Sequence, residues 1–380
     1  MSPTPVGCTL HARRAACRRG AAVVVSAAGQ SVDLRPLLAS EPKAVRTAAT
    51  AFAPATVANL GPGFDYMGVA VEGQGDVVTA TLRRDLAPGS VVITSMTGDN
   101  GRLSLDPGKN CCGIAAAATL KLLNVTSCGV SLDCTKGLPL GSGLGSSAAS
   151  AAAAAWAVNT LFGCPLTKAD LVPAGLASEA TVSGYHADNI APAIMGGFVL
   201  VRSYSPKLVL VPLPWGGDAT KLWFCLVTPL FEAPTREMRA ALPKTITMGV
   251  HVSNAAAGAG LATGILTGDA RMLGSALGDD TIVEVARGPL IPGFAAVKAA
   301  AMAAGAYGCT ISGAGPTIVA IAQGREEGVA ITKAMAQAFR SHGKLDVAYA
   351  GCAQLCADGA REVQGKGDGQ AHGDRVIRVV

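Results

Sequence analysis

The chain has 380 residues, half of them apolar and 15% charged, with a formal net charge of +5. That length is enough for two domains, each with its own core, and the composition excludes a disordered polypeptide.

The first thirty residues differ from the rest. Arg13, Arg14, Arg18 and Arg19 lie among alanines and serines, with no acidic residue before Asp33. This is the composition of an organelle transit peptide, with cleavage expected near Val25 to Ala28. A basic arm for nucleic acid is the other reading of the same arginines. The apolar run Ala21 to Val25 is too short for the core of a secretory signal. Removing the four arginines takes the formal charge from +5 to +1, so the remainder makes no electrostatic case for nucleic acid. Residues 137–167 carry no charge for longer than the ~20 residues that span a bilayer. Glycine, serine and proline fill the first third of that stretch and weakly apolar alanine most of the rest, so a buried helix is expected and not a membrane span. Eleven cysteines show no paired metal spacing and read as buried or free thiols.

In chain order, residues 51–65 form a loop punctuated by Pro54, Gly61, Pro62 and Gly63, with strands expected at 69–71 and 77–82. Asn59 and Asp65 are its polar groups, read either as turn residues or as ligand contacts. A helical pattern covers 114–123. Val130, Leu132 and Cys134 then alternate with Ser131, Asp133 and Thr135, the period of a half-buried strand. Next comes Pro139-Leu140-Gly141-Ser142-Gly143-Leu144-Gly145-Ser146-Ser147-Ala148-Ala149, followed by an alanine helix that stops at Gly163 with Pro165 just beyond. Strand, glycine loop and helix in this order suit a phosphate: glycines admit close approach, serines add hydroxyls, and a helix start offers free N–H groups. The Walker pattern fails because no lysine lies within 138–166, and the dinucleotide fingerprint fails at Ser146.

A helix is expected from Lys168 towards Glu179. The segment after it holds His186, Asp188 and Asn189 among apolar and Gly/Pro residues, a site wall or, for His186, a satisfied buried imidazole. A strand follows at 198–201, then a Pro/Gly-rich join between two halves at 205–217. A further strand is expected at 222–227, helices near Thr235, His251, Asp269 and Phe294, a second glycine loop at 307–317, a strand at 317–322 and a helix at 326–342. Residues 365–373 are polar and expected to be mobile. This irregular alternation is an α+β order.

Three separated stretches, residues 53–65, 139–149 and 308–317, resemble the three motifs of the GHMP kinases in their family order. The first of them, with 186–197 and 282–293, is similar to homoserine kinases of the plant and algal plastid type. The resemblance spans roughly Ala48 to the C-terminus. It implies a two-domain fold: 48–210 as an ATP-binding domain of the ribosomal-protein-S5 second-domain type, and 218–365 as a ferredoxin-like domain. It further implies Mg²⁺-assisted transfer of the ATP γ-phosphoryl to the L-homoserine hydroxyl in threonine synthesis, a homodimer, and the chloroplast (plastid stroma) as the destination of the transit peptide. By family position, residues Pro139 to Ala149 cradle the triphosphate, and Ser146 and Glu179 hold Mg²⁺. Asn59, Asp65, His186, Asn189, Thr235, Arg239 and Arg287 contact homoserine or order its site, and Gly313 and Gly315 shape the wall beside the phosphate loop. Arg239 lies one turn after Thr235, and Arg287 is expected in a loop able to close over the site. Relatives such as mevalonate kinase carry an aspartate base where Asn189 stands, so direct transfer without that base is implied, with His186 and Asp188 as candidates for help. Val285-Ala286 and Gly288 depart from the plant pattern around Arg287. Another small-molecule kinase of the superfamily, or a non-catalytic sensor on the same fold, is the alternative.

Overall fold

The computed structural model describes residues 23–25, 31–182, 184–365 and 375–379. Most of the expected transit peptide and of the polar segment 365–373 lies outside the described residues. Val23–Val25 pairs with Ser31–Asp33 ahead of the main fold.

Strands Ala48–Ala58 (β1), Met67–Arg83 (β2), Val91–Thr97 (β3), Gly129–Thr135 (β4), Phe198–Ser203 (β5) and Val209–Leu213 (β6) build the first sheet. Its order is β1, β2, β4, β3, and the β5–β6 hairpin pairs with the first residues of β2. The β3–β4 pair is parallel. Parallel neighbours need a crossover, and helix Cys111–Leu122 (α1) supplies it. Helices Ser146–Leu161 (α2), Lys168–Val182 (α3) and Ile190–Met195 (α4) join α1. Alanines dominate α1 and α2 on every side, and a helix apolar all round is a buried one.

The structure moves several expected boundaries. Helix α1 starts at Cys111 because the Asn110 side chain accepts from the Cys112 N–H and caps it. The two expected strands at 69–71 and 77–82 are one strand, irregular opposite Pro54 and Ala55. The expected join at 205–217 contains β6, whose residues pair with β5, so this stretch belongs largely to the first sheet.

Strands Leu222–Pro229 (β7), Gly308–Ile311 (β8), Ile318–Gln323 (β9), Val347–Gln354 (β10), Arg361–Glu362 (β11) and Val376–Arg378 (β12) follow. All but β11 form a second, antiparallel sheet in the order β8, β9, β7, β10, β12, while β11 returns to pair with β1. Helices in this half are Thr235–Ala240 (α5), Met248–Thr267 (α6), Ala270–Gly278 (α7), Val283–Arg287 (α8), Phe294–Ala303 (α9) and Arg325–Ala338 (α10). Taking β7, α9, β8, β9, α10 and β10 together gives the split βαβ arrangement expected of a ferredoxin-like half.

Strand β7 is buried on both faces. Trp223, Cys225 and Val227 pack with residues of α9 and α10. Leu222, Phe224 and Leu226 enter a core that also takes Val57, Leu60, Val69 and Leu144 from the first half. The two halves therefore share one apolar core, and Leu144 anchors the first glycine loop in it.

One charge pair lies deep in the first half. Lys136, at the end of β4, donates to Asp76 of β2, to the Ser146 carbonyl at 2.7 Å and to Ser150 Oγ at 2.8 Å. Asp76 also accepts from the N–H groups of Gly137 and Leu138 at 2.9 and 3.2 Å. Both side chains are essentially inaccessible. Removing one partner of such a pair costs about 3–5 kcal/mol, because the other charge stays buried without its counterion. Lys136→Met should lower the urea-derived unfolding free energy by about that amount. Adding Asp76→Asn should recover part of it, and a single-variant loss below about 1 kcal/mol would contradict the buried pairing.

Candidate active site

The loop between β4 and α2 turns on three left-handed glycines, Gly141, Gly143 and Gly145. A Cβ on Gly143 would lie 2.5 Å from the Ser312 carbonyl oxygen, and one on Gly145 would lie 2.1 Å from Thr56 Oγ1. Only glycine fits both the backbone and the space at these two positions. The second glycine loop grips the first: Ser312 Oγ donates to the Gly143 carbonyl at 2.7 Å and Thr317 Oγ1 to the Ser142 carbonyl at 2.5 Å. Leu140 to Gly143, Gly145 to Ser147, Gly313 and Gly315 line a cavity of about 480 Å³. Pro139 is exposed beside it, while Leu144, Ala148 and Ala149 face the cores and do not line it. The first amides of α2 have no partner one turn back and aim an unneutralised positive dipole end at this cavity. That geometry suits an anion.

The two serines that begin α2 point differently. Ser147 Oγ donates to Glu179 Oε1 at 2.9 Å, whereas Ser146 Oγ donates to the Leu138 carbonyl at 3.2 Å. Neighbouring residues on a helix project about 100° apart, so one of the pair closes the loop and the other faces the carboxylate. The two expected metal residues, Ser146 and Glu179, both line the cavity, and Ser147 adds a hydroxyl bonded to the Glu179 carboxylate. Cys111 lines the cavity nearby, but burial, with the charge of Glu179, pushes its thiol up to about 11, so it stays protonated at neutral pH.

Across the cavity stand the other expected residues. Asn59, in a left-handed conformation, donates from Nδ2 to the Gly313 carbonyl at 2.8 Å and accepts the Asp65 N–H on Oδ1 at 3.1 Å. It acts here as a bracket between the loops. Asp65 receives two hydrogen bonds from Arg239, at 2.8 and 2.9 Å. This bidentate contact raises the Arg239 pKa further, against the opposing effect of burial. Arg239 Nε is buried without a partner among the described residues. Thr235 and Arg239 begin and end the same turn of α5, and both line the cavity.

Arg287 is not in a mobile loop. It ends the short helix α8, is 2% exposed, and donates to the carbonyls of Met238 and Gly313, each at 3.0 Å. Burial, then the nearby charge of Arg239, lowers its pKa to about 10, so it keeps its charge at neutral pH. Val285, one departure from the plant pattern, faces solvent at 67% exposure and leaves the Arg287 contacts alone. Both guanidinium groups lie over the Phe64 ring, at 5.2 Å for Arg239 and 5.0 Å for Arg287. A π-face offsets some of the repulsion between two such cations.

His186 is buried, and its Nδ1 lies 3.3 Å from Asp188 Oδ1. Burial alone would depress its pKa, but the hydrogen bond and charge of Asp188, with Glu179 and Asp65, outweigh it and hold the imidazole at about 9. Asn189 accepts from Thr56 Oγ1 at 2.7 Å on its carbonyl side, which leaves its NH₂ as the polar group for the cavity.

An anion site at a helix start, joined in one cavity to paired arginines and carboxylates, defines the class as a small-molecule kinase. The chain matches the GHMP kinases N terminal domain at residues 111–197 and the GHMP kinases C terminal domain at 261–341. It is 57% identical over 313 residues to a homoserine kinase of Arabidopsis thaliana, covering 82% of this chain and 84% of the relative. It is 42% identical over 305 residues to one of Chloroherpeton thalassium, covering 78% and 94%. A crystal structure of homoserine kinase from Cytophaga hutchinsonii superposes with a TM-score of 0.77 at 40% identity, covering 84% of this chain and 99% of that one. The chain belongs to the homoserine kinase family of the GHMP kinases.

The His186 geometry sets a pH dependence. Its folded pKa is raised above the ordinary value of 6.5, so its stabilising contribution is complete below that pH and fades as pH rises through about 9. The thermal midpoint of wild type should fall over this window more than that of His186→Gln. Parallel curves would remove His186 as the titrating group.

Proposed function

We propose that the protein transfers the γ-phosphoryl group of ATP to the side-chain hydroxyl of L-homoserine, giving O-phospho-L-homoserine for threonine synthesis. One observation carries the reading: a single cavity joins the glycine loop at the α2 N-terminus to the bidentate Asp65–Arg239 pair. The first end suits a triphosphate. The second suits a zwitterion, because a substrate ammonium can take Asp65 while its carboxylate takes Arg239, including the buried Nε, with Arg287 adding positive charge. Family membership at 57% identity supports the same substrate.

In this reading the homoserine oxygen bonds to the γ-phosphorus as the bond to the β–γ bridging oxygen breaks, and ADP leaves. Asn189 presents only N–H donors, so it holds the hydroxyl and takes no proton. His186 already carries a proton at neutral pH and is no base there. The hydroxyl proton therefore departs late, to the transferred phosphoryl group.

Ser146 and Glu179, which would hold the metal, and Ser147 beside them offer hard oxygen donors to the cavity. That set fits Mg²⁺, which keeps waters and takes phosphate oxygens instead of filling a protein cage. When bound, Mg²⁺ would neutralise charge on the triphosphate. We assign the remaining expectations in the same spirit: 48–210 as the nucleotide domain and 218–365 as its partner, a plastid location, and a homodimer. The arginine-rich leader and the plant relative support the location. The homodimer rests on the family resemblance alone. Among the described residues no helix is long and apolar enough to cross a membrane.

The discriminating assay measures ADP release with homoserine, mevalonate, galactose and shikimate. Homoserine alone should be turned over well, and turnover of another acceptor in its place would overturn the reading. In the same assay Arg239→Ala should lower kcat/KM for homoserine by about 30-fold or more, mainly through KM, as expected for loss of a desolvated charge contact. An amino alcohol without the carboxylate should lose little further activity in this variant. Equal losses on both substrates would move Arg239 to the phosphates or the fold.

Glu179→Gln should lower kcat by at least about 100-fold while nucleotide still binds, since the charge that would hold Mg²⁺ is gone. Near-normal turnover would remove Glu179 from the metal site.

A further inference from the structure

Tyr204 comes directly after β5 and was given no role by the sequence motifs. Its Oη donates to the Asp65 carbonyl at 2.7 Å and accepts the Ala187 N–H at 2.8 Å. Asp65 stands at φ 62, a left-handed conformation that is uncommon for a residue with a side chain. Side chains fix its peptide groups on both sides: Asn59 Oδ1 takes the N–H and Tyr204 Oη supplies the donor to the carbonyl. Ala187, the other partner of the hydroxyl, lies between His186 and Asp188 and two residues before Asn189. One hydroxyl thus joins the loop that carries Asp65 to the segment that carries His186, Asp188 and Asn189.

The ring itself is held independently of the hydroxyl. It packs against the first-half core and lies 5.6 Å from the Tyr185 ring. Burial, reinforced by the charge of Asp188, pushes the phenol far above its ordinary range, so it remains a donor throughout the working pH range. Tyr204 lies outside the cavity lining.

We infer that Tyr204 is a positioning residue for the phosphoryl acceptor: its hydroxyl sets the separation between the Asp65–Arg239 pair and the His186–Asp188–Asn189 wall. This rests on the reading of that cavity end as the acceptor site. Both hydrogen bonds of the hydroxyl go to backbone at the acceptor end and neither to the glycine loop, so its effect on the nucleotide end is indirect. A hydroxyl that merely stabilised the fold would affect both substrates alike.

The test is Tyr204→Phe in the full chain, which keeps the ring and removes only the oxygen. The KM for homoserine should rise about tenfold, the effect of leaving buried hydrogen-bonding groups unmet. The KM for ATP should stay within about twofold, and the thermal midpoint within a few degrees. An unchanged homoserine KM, or equal rises in both KM values, would overturn the inference. Amide hydrogen exchange separates this from the functional reading itself. If wild type does not turn over homoserine, that reading falls, and the inference is decided by exchange alone. Faster exchange at both Ala187 and Asp65 in the variant supports a shared tether, and faster exchange at Ala187 only overturns it.

Discussion

A phosphate loop built on three left-handed glycines has little of its own with which to hold a shape, since glycine gains freedom in the unfolded chain and offers no side chain to pack. Here the shape is imposed by the buried Asp76–Lys136 pair. Asp76 takes the two N–H groups at the entry of the loop, and Lys136 takes the Ser146 carbonyl and the Ser150 hydroxyl at its exit. The strand that delivers the loop and the helix that leaves it are thereby tied to one point. The anion-binding amides of α2 depend on that fixed exit, because a helix start that frays points nowhere. The cost of burying two charges is offset only when every lone pair and proton finds a partner, and this cluster is close to that condition.

From this anchored loop the rest of the site follows by backbone packing. Gly143 admits the Ser312 and Gly315 carbonyls at distances no Cβ would allow, so the second half of the chain closes on the first at the phosphate loop. Gly313, in turn, gives its carbonyl to both Asn59 and Arg287. A single turn of backbone therefore joins the nucleotide end to the acceptor end. The shared core beneath, into which Leu144 is inserted beside Leu60, Val69 and Phe224, keeps the two halves in register.

Much of this was legible in the sequence, for physical reasons. The alternation at Val130, Leu132 and Cys134 gave β4, since all three are fully buried. The glycine loop and alanine helix followed from conformational freedom and helix stops. Which polar groups would meet in the cavity came from the family motifs, since Asn59, Asp65, His186 and the arginines are lone residues with no spacing of their own to read. The misses have causes as well. Ser146 and Ser147 are adjacent in sequence and differ only by rotation about a helix, so no motif separates the one that faces Glu179. Lys136 was visible as the last charge before an uncharged stretch, but its partner Asp76 is 60 residues away. Phe64 and Tyr204 act through a ring face and through backbone groups, contacts that leave no spacing to read. The β6 strand was hidden because proline and glycine at 205–217 outweigh five residues of edge pairing.

On the proposed reading of the acceptor end, the charges around it are consistent with phosphoryl transfer that uses no dedicated base. A base is not required where the transition state places little demand on the nucleophile's proton. The site instead keeps its carboxylates engaged: Asp65 on Arg239, and Asp188 on a protonated His186. Asn189, locked by Thr56 with its donors towards the cavity, can orient the hydroxyl oxygen by donating to it. What remains for the protein to supply is alignment and positive potential, and both arise from fixed groups: the α2 amides on one side and the two arginines over Phe64 on the other. On the proposed reading, a substrate lacking a carboxylate would leave that second potential unanswered, so the same fixed charges would favour a zwitterion.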